Sequence, residues 1–192
     1  MAVPSLTGTA FLLSPLVFAA IAGLLLRRNP LRLTELKFRW IGLLWAAAAL
    51  AFVRYTDPDW LPHWSRAYDG LAVLGAAWTL GACWVVLNLS GRDAGMRTGL
   101  VTLWTGFTLN FLTIALNRGV MPYSASAARL AGFTQQGPAV VGHAELNRGH
   151  LLPWLADIVP VPVIAKVVSV GDLLMIAGLV VVLVSGMARK QP

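Results

Sequence analysis

The chain has 192 residues, 57% hydrophobic and 12% charged, with a mean hydropathy of +0.70. Soluble domains carry about 25% charged residues, so half of the usual solvated surface is missing and lipid is the better solvent for this sequence. The formal net charge of +7 does not signal nucleic acid, because no basic helix, zinc motif or aromatic–basic interleaving accompanies it; the cations sit in short segments between apolar runs, as anionic lipid and membrane insertion favour.

The first apolar run covers residues 7–26, and about 20 residues cross roughly 30 Å of hydrocarbon. No charged side chain precedes it, and Arg27 and Arg28 follow it. A secretory signal has the opposite polarity, so an uncleaved first helix is expected. A basic stretch with Arg32, Lys37 and Arg39 comes next, broken by Pro30. The second span, 38–54, is short and bracketed by Arg39 and Arg54, whose long stems can snorkel to the headgroups. Asp57, Asp59 and Asp69 then share a polar segment with Trp60 and Trp64, and such tryptophans suit a membrane–water interface.

Residues 70–89 form a third span containing the single cysteine, Cys83. A thiolate is disfavoured in an apolar setting, so Cys83 reads as a small packing residue. Arg92, Asp93 and Arg97 make a tight loop before a fourth span at 98–116. Residues 117–167 are the longest stretch outside a span, and a fifth span, 168–187, ends before Arg189 and Lys190. No internal repeat is evident, which speaks against a solenoid or an inverted-repeat transporter.

Orientation follows from the cations. With the N-terminus outside, the cytoplasmic segments hold nine lysines and arginines, against six on the other side over a greater length (Arg54, Arg66, Arg118, Arg129, Arg148 and Lys166). The positive-inside rule then gives N-out and C-in. The expected fold is all-α: one transmembrane domain, residues 1–192, with five helices and a partly helical extracytoplasmic cap at 117–167. Within that cap, Ser124 is placed to start a short helix through Leu130, with a break at Gln135-Gln136-Gly137-Pro138. Residues 151–158 are apolar, include Trp154, and are too short to span.

Three segments carry a resemblance. Asn117-Arg118-Gly119-Val120-Met121-Pro122, Leu155-Ala156-Asp157-Ile158-Val159-Pro160 and Ser169-Val170-Gly171-Asp172, with His143 between the first two, resemble a family of uncharacterised bacterial multi-pass membrane proteins. That family typically shows Asn-Gly-Gly-x-Met-Pro, Leu-Gly-Asp-x-x-Pro and Ser-x-Gly-Asp motifs. Arg118 stands where a glycine is usual, and Ala156 precedes Asp157. The resemblance implies a multi-pass protein of the bacterial plasma membrane and brings no established activity.

Candidate sites each have a bland alternative. Thr102, Gly106, Asn110, Thr113 and Asn117 fall on one face of the fourth helix and form either a packing seam or a polar pathway. Asp172 is either a functional intramembrane carboxylate or, with Ser169, the capping box of the last helix. His143, Glu145 and His150 are weak candidate metal ligands, since their spacing matches no defined motif. Asn117, His143, Asp157 and Asp172 are expected to converge at one end of the bundle, as a clasp for the cap or as a site for a polar headgroup or cation. No catalytic motif and no cofactor can be assigned. The leading reading is a non-catalytic binding, assembly or accessory component. The alternatives are a small proton-coupled carrier using the fourth-helix stripe and Asp172, or a membrane enzyme with a shallow outer-face site. The expected partners are membrane lipids, another membrane protein or a second copy, and no nucleic acid.

Overall fold

The computed structural model describes residues 6–56, 70–132 and 142–188, and these are mostly helical. Asp57, Asp59, Trp60, Trp64, Arg66 and Asp69, the break at Gln135-Gln136-Gly137-Pro138, and Arg189 and Lys190 lie outside the described residues. Five long helices dominate: α1 (Leu6–Leu25), α2 (Ile41–Thr56), α3 (Leu71–Leu89), α4 (Ala94–Leu116) and, last in the chain, one at Val170–Gly186. Between α4 and that last helix lies the cap, with β1 (Met121–Tyr123), helix α5 (Ala125–Leu130), β2 (His143–Glu145), β3 (Val159–Val161) and β4 (Lys166–Val168). The last helix is therefore α6.

The long helices pack as a row, α2 on α3, α3 on α4, α4 on α6 and α6 on α1. The α4–α6 seam is the tightest because both helices present glycine there. A β-carbon on Gly99 would lie 2.7 Å from the Val182 nitrogen, one on Gly106 would lie 2.7 Å from the Met175 nitrogen, and one on Gly178 would meet the Leu103 backbone. Small residues let helix backbones touch in this way. On α1 the buried positions Pro15, Ala19 and Gly23 are four apart and make one face; Gly23 packs against Met187 just beyond α6. An aromatic layer joins α3 to α4: Trp78 stacks on Phe111 at 5.3 Å and donates its indole N–H to Thr108 Oγ1 at 3.1 Å.

At the end away from the cap, a 3-10 turn (Pro30–Glu35) closes over the end of α6. Leu33 and Leu36 cover Gly186, and Arg28 donates to the Val184 carbonyl at 3.0 Å. Arg32 reaches the Ala188 carbonyl at 3.4 Å. Cations on terminal carbonyls satisfy acceptors that a helix leaves open and complement its dipole. Asn88, buried near the end of α3, brackets Arg39: it accepts from the Arg39 N–H at 2.8 Å and donates to the Arg39 carbonyl at 3.0 Å.

In the cap, β1 and β2 run parallel with Met121 opposite His143. A bridge pairs Tyr123 with Asp157, and β3 and β4 form an antiparallel hairpin. Ser124 caps α5 by accepting from the Ala127 N–H at 3.3 Å.

Three expectations need correction. Among its described residues the cap contains four three-residue strands, which an all-α reading lacks; strands this short, two of them carrying proline, give no alternating pattern to detect. Among the described residues, two helices, Leu71–Leu89 and Ala94–Leu116, are long and apolar enough to cross a membrane, fewer than the five spans expected. The remaining apolar helices are shorter stretches at Thr9–Leu25, Ile41–Arg54 and Val170–Gly186. α2 starts late because the Asn88 bracket holds Arg39 out of helical geometry and Trp40 adopts a φ of 53°. Conversely, Arg97 is no loop residue: Asp93 accepts from the Met96 N–H at 2.9 Å, which starts α4 at Ala94 and places Arg97 in its first turn.

Candidate functional site

At the cap end of α4 and α6, three separate polar units form. The first is a ring of Asn110, Ser169 and Asp172. Asn110 Nδ2 donates to Asp172 Oδ1 at 2.8 Å, and its Oδ1 accepts from Ser169 Oγ at 2.8 Å. The Ser169 N–H donates to Asp172 Oδ2 at 3.0 Å, and the Asp172 N–H donates to Ser169 Oγ at 2.9 Å. The last two bonds are a capping box, as the Ser-x-x-Asp spacing allows. Asp172 therefore has two roles at once: it caps α6 and ties that helix to α4. Gly171 is needed beside it, since a β-carbon there would collide with the Asn110 amide.

The second unit is Asn117, 7% exposed at the end of α4. Its Nδ2 donates to the Thr113 carbonyl at 2.8 Å and to the Leu151 carbonyl at 2.9 Å. Its Oδ1 accepts from the Leu151 N–H at 2.8 Å. The side chain thus brackets the backbone of one cap residue, Leu151, as Asn88 brackets that of Arg39 at the opposite end. Arg118 and Gly119 follow at φ 57° and 92°, reversing the chain so that β1 returns over the helix ends.

The third unit is His143 with Asp157. His143 Nε2 lies 3.4 Å from Asp157 Oδ2, with side-chain exposures of 33% and 9%. Asp157 is fixed through its backbone: its N–H donates to the Pro122 carbonyl at 2.9 Å and its carbonyl accepts from the Ser124 N–H at 2.8 Å. Burial pushes its carboxyl above the ordinary range, opposed by the hydrogen bond from His143; the Asp172 carboxylate pushes the same way as burial, while the charges of His143 and Lys166 pull it down. Arg54, from α2, donates to the Gly119 carbonyl below this pair.

The four residues expected to converge are thus divided. His143 and Asp157 meet, and Asp172 acts on Asp157 through its charge. Asp172 itself is bonded to Asn110 and Ser169, and Asn117 turns away to Leu151. On the α4 stripe, Gly106, Asn110, Thr113 and Asn117 are committed to α6, to the helix backbone or to the cap, with Thr113 fully buried and bonded to the Leu109 carbonyl at 2.9 Å; Thr102 is half-buried. At Gly106 and Gly178 no methyl group fits between the two helices, so the backbones touch there.

The weak metal candidates are not gathered: among the described residues no group of three His, Cys, Asp or Glu could hold an ion. Glu145 is exposed, and His150 Nδ1 accepts from the Asn147 N–H at 3.1 Å, closing a local turn. Sequence reasoning missed Asn88, whose only signal was an amide near the end of an apolar helix, and it did not join Asn110 to Asp172 although both had been singled out.

No curated protein and no solved structure matches the chain. Residues 35–184 match the family of unknown function DUF5317, and since that stretch is most of the chain, the protein belongs to this family.

Proposed function

We propose that the protein is a multi-pass integral protein of the bacterial plasma membrane, a single transmembrane domain with five spans, N-out and C-in. Its outer cap binds a polar headgroup, a cation or a partner component at His143 and Asp157 without carrying out chemistry. The membrane part of this reading draws on the faces left uncovered. On α1, Leu12, Leu13, Leu16, Val17, Phe18, Ile21, Leu24 and Leu25 are exposed, and on α2 Leu44, Trp45 and Phe52. An apolar area of that size on a water-soluble protein would be an aggregation hazard, whereas lipid covers it at no cost. The shorter helices suit this reading too: 16 residues rise about 24 Å, and Arg39 and Trp40 at one end and Arg54 at the other can reach the interfaces.

One observation carries the non-catalytic reading. The Asn110–Ser169–Asp172 ring and the Asn117 bracket spend their polar atoms on one another and on backbone, while His143, paired with buried Asp157, keeps a side chain 33% exposed at the cap. A carrier would need water along the α4 stripe, and the glycine seam argues against it. Reporter fusions after Arg32 and after Arg92 should read cytoplasm, and one near Gln135 should read outside; a cytoplasmic signal near Gln135 would refute the orientation. For the site, His143→Ala should give a folded protein that no longer supports its partner, whereas loss of folding would reduce the pair to a clasp.

A further inference from the structure

At the end of the row away from the cap, Arg27, Arg28, Arg32, Lys37, Arg39, Arg92 and Arg97 face two acids, Glu35 and Asp93. The structure sorts these cations by use. Arg28 and Arg32 donate to α6 carbonyls. Arg92 donates to the Lys37 carbonyl and lies over the Phe38 ring at 5.1 Å. Arg27, Lys37, Arg39 and Arg97 are exposed, and among the described residues their side chains make no hydrogen bond or ion pair. Asp93 is turned back to cap α4. Unspent positive charge of this kind calls for a counter-charge from outside the chain.

Lys37 and Arg39 differ from Arg27 and Arg97 in what lies beside them, an aromatic pair and an exposed indole. Between Lys37 and Arg39, Phe38 packs at a tilt against buried Trp84, ring centroids 5.1 Å apart, beneath the Arg92 guanidinium. Asn88 brackets the Arg39 backbone and is itself tied to the Trp84 carbonyl at 2.9 Å. Directly after comes Trp40, at φ 53° and 67% exposed. A bulky residue in the left-handed region is unusual, and here the flanking contacts hold it there. The outcome is a fixed stretch of backbone that shows two cations and an indole side by side. Guanidinium and ammonium groups recognise phosphate oxygens, and an indole with its N–H suits the ester region of a bilayer.

We propose that Lys37, Arg39 and Trp40 form a binding site for the headgroup of an anionic phospholipid in the leaflet at the start of α2. This site rests on the membrane reading above. Free inorganic phosphate shares the same chemistry, and the test separates the two sources.

Membranes containing the full chain are first washed with alkaline carbonate; release of the protein would overturn the membrane reading and the site with it, while retention isolates the site for the next step. The purified protein in neutral detergent is then titrated with short-chain phosphatidylglycerol, phosphatidylcholine or inorganic phosphate, reading the thermal midpoint. Phosphatidylglycerol should raise the midpoint saturably, and the other two should not at equal concentration. Lys37→Gln with Arg39→Gln should weaken the apparent affinity roughly twentyfold or more while leaving the lipid-free midpoint in place, because neither side chain is bonded. Trp40→Ala should weaken it through lost packing alone, and Arg27→Gln with Arg97→Gln should change it by less than about threefold. An equal loss in both charge pairs would show a diffuse field, an equal response to inorganic phosphate would show a free-anion site, and an indifferent midpoint would show no site; each of these overturns the proposal.

Discussion

Replacing Asn117 with alanine tests whether the cap is held by its bracket on the Leu151 backbone. The substitution removes the donor to the Leu151 carbonyl at 2.9 Å and the acceptor of the Leu151 N–H at 2.8 Å. The third bond, to the Thr113 carbonyl, matters less, because that oxygen keeps the Asn117 backbone N–H at 3.2 Å. Two neutral amide bonds contribute about 0.5–1.5 kcal/mol each. Leu151 is exposed, so water can resolvate part of what is lost, and the expected destabilisation is about 1–3 kcal/mol. Unfolding in mixed micelles, followed by far-ultraviolet circular dichroism, would measure it, with hydrogen exchange over the segment containing Leu151 as the local readout. Faster exchange there, with α4 unchanged, is the expected signature. A loss below about 0.5 kcal/mol together with unaltered protection at Leu151 would refute the bracket as the cap's anchor.

Asp157→Asn should be neutral or stabilising at neutral pH. A carboxyl raised by burial favours its protonated form in the folded state, so its charge costs stability above the folded pKa and that cost fades as pH falls to the ordinary carboxyl range; the gap between variant and parent should therefore shrink on acidification, read from unfolding midpoints across pH 3–8. Gly178→Ala should destabilise the α4–α6 seam by about 1–3 kcal/mol or more, whereas Gly75→Ala on α3, with nothing within 4 Å of the added carbon, should gain about 0.5–1 kcal/mol; a reversed order in thermal melts would overturn the packing argument. Arg118→Gly should raise stability by about 0.5–1 kcal/mol, as the left-handed strain at φ 57° exceeds the entropy glycine adds to the unfolded chain.

Much of the helical layout was legible because apolar runs ended at charge or capping residues. The fifth span, expected at 168–187, begins within two residues of α6, and the Ser169–Asp172 capping box, one of the two readings offered for Asp172, is present; Ser124 caps α5 as expected. The α4 stripe was legible as a face, since small and polar residues recurred every three or four positions. What the stripe met was not legible: the partners of Asn110 lie 59 and 62 residues away, and no local pattern encodes such a pairing. The start of α2 was misplaced for the same reason, because Asn88 acts on Arg39 across 49 residues. His143 and Asp157 were named by resemblance, and their meeting depends on strands flanking β1 that periodicity could not reveal.

The row of helices does not follow the chain. α1 precedes α2, α3 and α4 in the chain, yet its main helix contact is with α6, which follows them and also closes on α4. During synthesis α1 must therefore wait, without its lasting neighbour, while α2, α3, α4 and the cap emerge. The seat between α4 and α1 is filled only when α6 arrives, and the residues that lock it, Ser169 and Asp172, are the cap and part of the first turn of that helix. A ribosome stalled before Val170 would leave two apolar helix faces open at once, so the row of helices closes when α6 arrives and is not accumulated helix by helix.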